Sequence, residues 1–418
     1  MRRQTIPLLE GEALQSYYQH HLRLLPEVPG RTGCFARCLA KWKSSHSSPL
    51  VDLALSATAL AVYAQSRAHT DAAREASAKH GRLFRLLQTR IKALTTSSSD
   101  HDGIEACLIA MMLMERYAST VHQCNDLPFN TLPEWPANNA VMSLLKAWTD
   151  GGNEKTSQIV TLARRYVVRR ALHECSSVPR WMSDASRFGA RGLELDFDGL
   201  VLWLIDLQSR LAGLPGEPTQ RSLRLTTILG QAQAIDSALL AHYTLLPRMY
   251  PYRPHYHEDL AGFPRKHFYS RYLHIFENPA QAAVHNHFFT VRLVLNALWL
   301  RILKFKNKEK PIDLGAVRQQ LQCATNMGSL ATSLTLTVPY CLGRFEVDEV
   351  ILGQEYSSVK PFTDRVIEPY LAKPLLWPLT IASSLPEVDE AHRQWFRSEL
   401  VELSRITGSG VEGSAPTQ

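Results

Sequence analysis

Apolar side chains recur along this chain at intervals of three and four residues, and almost nowhere at intervals of two. That spacing gathers apolar groups on one side of a helix and scatters them over both faces of a strand. From Leu83 the apolar positions run Phe84, Leu87, Ile91 and Leu94, with Arg82, Arg85, Gln88, Arg90 and Lys92 between them, so a helix with one face packed inward is predicted here. Ile159, Leu162, Ala163 and Tyr166 form another stripe, opposed by Arg164, Arg165, Arg169 and Arg170. Residues 50–64 and 104–117 are apolar almost all round and read as buried helices, while residues 220–243, 280–303 and 314–336 are longer helical windows. The short strand candidates, 334–338 and 347–352, lie in helical surroundings. The expected fold class is all-α: a compact multi-helix domain of stacked helical hairpins.

Punctuation divides the chain further. Breaks are expected at residues 95–100, 125–139, 176–197 and 246–264, and a two-lobed body would join near 125–139 or 246–264. Residues 1–48 read as a partly helical lead-in, 49–407 as the helical body and 408–418 as a small, polar, disordered tail. Ser384 followed by Pro386 and Glu387 fits a capping box for the last helix, which carries Ala391, Trp395, Phe396, Leu400 and Leu403 and ends near Thr407 at Gly408. Trp377 and Trp395 are expected in the core. No repeat of fixed period marks a solenoid.

Composition narrows the function classes. The longest apolar runs, 50–63 and 291–300, are interrupted by polar residues and fall short of the ~20 residues a membrane span needs, so no membrane partner is expected. The first residues lack the apolar stretch of a secretory signal, and seven cysteines at irregular spacing suit a reducing, intracellular compartment. A formal charge of +7 allows weak, non-specific contact with nucleic acid without requiring it.

The chain carries no phosphate-cradling loop, dinucleotide turn, nucleophile elbow or metalloprotease helix, so the commonest catalytic classes lose their sequence support. His255 and His257 flank Tyr256 in a Pro-Tyr-rich segment after Tyr250, and these four residues make the candidate ligand pocket. His285 and His287 sit two apart in a helical window and diverge in direction, which is poor metal geometry. Cys34 and Cys38 lack the companions of a four-ligand zinc site and read as core residues one helical turn apart. Neither a metal nor another cofactor is expected. Lys304 and Lys306 begin a basic run after a long helix, and with Arg164 and Arg165 they form the candidate basic surface.

Several stretches together resemble the helical regulatory domain of fungal zinc-binuclear-cluster transcription factors, the fungal-specific transcription factor domain. They are residues 49–60, 83–88 and 104–117; the helix 286–303 leading to Val338, Pro339, Tyr340, Cys341, Leu342 and Gly343; and Leu376, Trp377, Pro378 and Leu379 before the closing helix with Trp395. Their order covers about residues 15–410. The resemblance implies a nuclear regulatory body that passes a signal to transcription, in some cases on sensing a small molecule. The family's six-cysteine DNA-binding module has no counterpart in this sequence, so sequence-specific DNA reading does not carry over.

Three readings follow. The first is a regulator without its own zinc cluster, acting in the nucleus through a DNA-binding regulator or the transcription machinery on a metabolic gene cluster, with a small-molecule effector and a homodimer both compatible. The second is a helical body recruited as a small-molecule-binding protein or an enzyme of secondary metabolism. The third is a member whose zinc module is encoded upstream of Met1.

Overall fold

The computed structural model describes residues 6–27, 34–96, 100–121, 137–152, 157–214, 218–257, 264, 266–309, 314–347, 359–362 and 365–408. Of these residues 79% are helical, far above the roughly one-third of an average globular protein, so the fold is all-α. The chain divides into two compact units. One comprises residues 1–170, 179–195 and 404–418, the other residues 171–178 and 196–403, so the division falls at neither of the two expected breaks.

The first unit is built on α3 (Pro49–Arg67). Pro49 at its first position has the fixed φ a helix start needs, Asp52 suits the first turn, and Ala68 ends the helix in the left-handed region at φ 51°. Val51, Ala54, Leu55, Ala57, Leu60 and Ala61 are buried on several sides. With so many alanines its neighbours can approach closely, and α3 packs against α1 (Ile6–His20), α4 (Thr70–Thr96) and α5 (His101–Val121). The buried Thr58 hydroxyl is used twice: it lies 2.8 Å from the Ala54 carbonyl and 3.0 Å from that of Leu113 on α5. Leu83, Leu87 and Leu94 of α4 are buried as their spacing predicts, whereas Phe84 stays on the surface. α2 (Phe35–Ser45), α6 (Ala137–Asp150) and most of α7 (Gln158–Glu174) complete this unit, with α6 against α4 and α5.

The second unit contains most of α8 (Gly192–Ala212), α9 (Pro218–Tyr243), the short α10 (Leu246–Met249), α11 (Pro279–Glu309), α12 (Leu314–Cys341), α13 (Pro369–Ser384) and most of α14 (Glu390–Thr407). Its spine is α11. Asn278 caps it, Oδ1 accepting from the backbone N–H groups of Ala280 and Gln281, both at 3.1 Å, and Pro279 opens the first turn. α9, α12 and α13 pack around it. Two polar contacts join α11 and α12: Thr337 Oγ1 donates to Asn286 Oδ1 at 2.6 Å in the interior, and Asn326 Nδ2, half-buried, to Asn296 Oδ1 at 3.2 Å.

Strand is confined to two antiparallel pairs among the described residues: β1 (Tyr252–Tyr256) with β2 (Tyr272–Phe276), and β3 (Phe345–Val347) with β4 (Val359–Pro361). Residues 334–338 belong to α12, in keeping with their helical surroundings, and of 347–352 only Val347 is described, as the end of β3. Two expectations need correcting. Within the expected break at 246–264, residues 246–257 contain α10 and β1 rather than a loop, and residues 258–263 lie outside the described residues. Ser384 is the last residue of α13, its hydroxyl donating back to the Ile381 carbonyl at 2.9 Å, and α14 is capped by Asp389 instead. Residues 409–418 of the expected tail lie outside the described residues, and Gly408, at φ 63°, ends α14 as expected.

Candidate partner interface

The last turns of α11 and the first turns of α12 form one end of a helical hairpin. The negative end of a helix dipole favours cations, which suits Lys304 and Lys306 near the end of α11. Lys304 is exposed, Phe305 beside it is 48% exposed, and Lys306 is half-buried. On α12, Ala316, Cys323 and Met327 turn inward. Leu314, Val317 and Leu321 occupy the opposite side, within about 60° of one another on the helix. They are 84%, 43% and 68% exposed, and Arg318 beside them is exposed too. Single exposed apolar side chains are ordinary; three on one stripe, with an exposed phenylalanine and cations near the end of the adjoining helix, make this end of the hairpin a candidate contact surface. Its sequence signal was a second apolar face: Leu314, Val317 and Leu321 repeat at helical spacing on the side away from Ala316 and Cys323.

Arg164 and Arg165 do not share that surface. Arg164 is 1% exposed, its Nε donates to the Met182 carbonyl at 2.9 Å, and its guanidinium lies over the Phe188 ring. Arg165 forms an ion pair with the buried Glu194. The expected basic surface is therefore corrected at these two positions: two short 3₁₀ turns, Arg180–Met182 and Ala185–Phe188, bring a carbonyl and an aromatic ring to that side of α7.

The four residues of the expected ligand pocket are placed on one hairpin but do not converge. Tyr250 is buried, and its carbonyl accepts from His285 Nε2 at 2.9 Å. Strand alternation points His255 and His257 to one side of β1 and Tyr256 to the other. Tyr256 is exposed and meets Tyr272 at 4.8 Å between ring centroids. Burial and the neighbouring His257 hold the His255 imidazole below its usual pKa. Among the described residues no group of three or more His, Cys, Asp or Glu side chains is placed to hold a metal ion.

Beneath this hairpin the structure assembles a buried cluster that sequence reading missed. His274 on β2, His285 on α11, Tyr252 and Phe276 lie ring against ring, with Tyr252 4.4 Å from His274 and 5.2 Å from His285. Burial, aided by His285, pushes the His274 imidazole down to about 4, so it is neutral at physiological pH. A second set joins two helices: His392 Nδ1 is 2.6 Å from Asp389 Oδ2, its Nε2 3.2 Å from Thr332 Oγ1, and Tyr269 stacks on its ring. In the first unit a shallow depression of about 390 Å³ is lined by Thr95, Met142, Lys146, Asp150 and Trp181, with Lys146 and Asp150 paired across one helical turn.

No protein-family model matches the chain, no curated protein is significantly similar to it, and no solved structure matches it. No helix among the described residues is long and apolar enough to cross a membrane.

Proposed function

We propose that this protein is a nuclear regulator of transcription that works through a partner, a DNA-binding regulator or a component of the transcription machinery, rather than by reading DNA itself. The observation that carries this reading is the exposed stripe of Leu314, Val317 and Leu321 with Phe305, bordered by Lys304, Lys306 and Arg318. Its occupant is an amphipathic helix with an acidic flank. Apolar anchors at helical spacing fill such a stripe, and carboxylates beside them meet the cationic border. Covering Leu314 and Leu321 is worth ~1.5–3 kcal/mol each, enough for a selective contact. A second copy of the same surface would bring like charges together and is the poorer occupant. The many ionisable groups of the interior, such as Arg292 with Asp236 and Arg301 with Glu387, are spent on internal pairs, which suits a scaffold.

The test tethers the full chain to an unrelated DNA-binding domain upstream of a reporter in yeast. Reporter output should change several-fold, and Leu314→Glu with Leu321→Glu should abolish that change while leaving the thermal unfolding midpoint in place. A fusion that leaves the reporter silent, or a double variant as active as the parent, would overturn the reading. The depression beside Trp181 favours a small-molecule effector as an addition to it: an effector bound there would alter Trp181 fluorescence, and a panel of metabolites giving no such change would remove that addition.

A further inference from the structure

Among the described cysteines, Cys38, Cys107, Cys323 and Cys341 are buried, and desolvation pushes each thiol up to about 12. They stay protonated and inert. Cys34 is half-buried, and Cys175 is exposed. Cys175 follows α7 in the left-handed region at φ 53°, a conformation that turns the chain sharply at the helix end.

Two groups act on its surroundings. Gln208 on α8 is only 7% exposed, and its Nε2 donates to Cys175 Sγ at 3.6 Å. The other half of the same amide, Oε1, is buried without a hydrogen-bond partner. Arg301 on α11 pairs with Glu387 through two hydrogen bonds, at 2.8 and 3.2 Å, and lies close enough for its charge to interact with that of Cys175. A buried carbonyl with no donor is costly, so the amide is set to take one more hydrogen bond at the sulfur.

We propose that Cys175 is a site of reversible oxidation by hydroperoxides, with the Gln208 amide holding the sulfenic acid that forms. The Cys175 thiolate attacks one oxygen of hydrogen peroxide, an S–O bond forms and the O–O bond breaks. The departing hydroxide takes a proton from solvent to become water; sulfur loses two electrons and the peroxide gains them. The new S–O–H group donates to Gln208 Oε1, the acceptor left open in the thiol state. Turning the amide over exchanges the roles only, because Nε2 would then be the unmet group and would donate to the sulfenic oxygen.

The experiment treats the purified full chain with a short pulse of hydrogen peroxide, traps sulfenic acid with dimedone, and maps the adducts by mass spectrometry. Dimedone should label Cys175 several-fold more than Cys34, beyond any difference the two show toward iodoacetamide in the reduced protein. Cys175→Ser should remove the adduct. Gln208→Met, which keeps the volume, should lower the dimedone yield relative to that variant's own iodoacetamide reactivity and raise the sulfinic product. Equal dimedone labelling of Cys175 and Cys34, or an unchanged ratio of dimedone to iodoacetamide labelling in Gln208→Met, would overturn the proposal. Should Gln208→Met fail to fold, the comparison within the wild-type chain still decides it. A silent reporter fusion would leave this proposal standing, since the two readouts are independent.

Discussion

His274 shows how one side chain ties stability to pH. Unfolded, its imidazole gains a proton as pH falls through 6.5; in the folded cluster it does so only near 4. Between those values the folded form binds fewer protons, so stability is intact above 6.5 and declines as pH falls. The loss amounts to about 2 kcal/mol at pH 5. Denaturant unfolding at pH 7 and pH 5 should show His274→Phe losing less stability on acidification than the parent by about that amount, and equal acid slopes would contradict it. Nothing in the sequence around His274 marks this role, because its neighbours Tyr252 and His285 are distant in the chain and meet only through the fold. Arg164 teaches the same point. On a helical wheel it belongs to a row of arginines and reads as solvated, yet the chain from Pro179 onward returns to cover it, with the Met182 carbonyl and Phe188 ring replacing water.

Whole elements were more legible than their edges. The windows for α3, α5, α9, α11 and α12 follow from apolar spacing, since burying one side of a helix leaves a periodic trace whatever lies opposite. Caps leave a trace of one or two residues, and several can compete. At the start of α14 Asp389 prevails over Ser384: its Oδ1 accepts from the His392 backbone N–H at 3.1 Å while Oδ2 meets the His392 ring. Asp389→Ala should therefore cost ~1–2 kcal/mol, whereas Ser384→Ala should cost under ~0.5 kcal/mol. Equal losses in urea midpoints would restore the rejected capping box. Trp395, expected in the core, is half-buried against Tyr269, while Phe396, with Leu400 and Leu403, takes the core position. β1 was unreadable as a strand because Pro254 interrupts it and its side chains do not alternate in polarity.

For the whole molecule, the all-α class was plain in the sequence and the division into two units was not. Proline-rich segments suggested the joints, yet the division runs through α7, α8 and α14, which look like ordinary helices in a linear reading. Charge was equally deceptive in bulk. Cations such as Arg165, Arg292 and Arg301 are engaged with carboxylates inside the fold and are not offered to a polyanion, whatever the net charge of +7. Duplex DNA should bind the purified chain only weakly and without sequence preference, and binding should fade between roughly 50 and 200 mM salt. A preference between two duplexes that persists at matched salt in a gel-shift titration would show base reading that the proposed function excludes. Along α11, both halves of each buried asparagine amide are used: Asn286 meets Thr337 and Cys341, and Asn296 meets the Arg292 carbonyl and Asn326. Sliding α12 by a single turn would strand the groups that reach across to it, the Asn286 amide and Asn296 Oδ1, at about 1–3 kcal/mol apiece. The two helices thus work as a ruler with fixed graduations, and the offset between the lysines on one and the leucines on the other is held constant however the outer surface is remodelled.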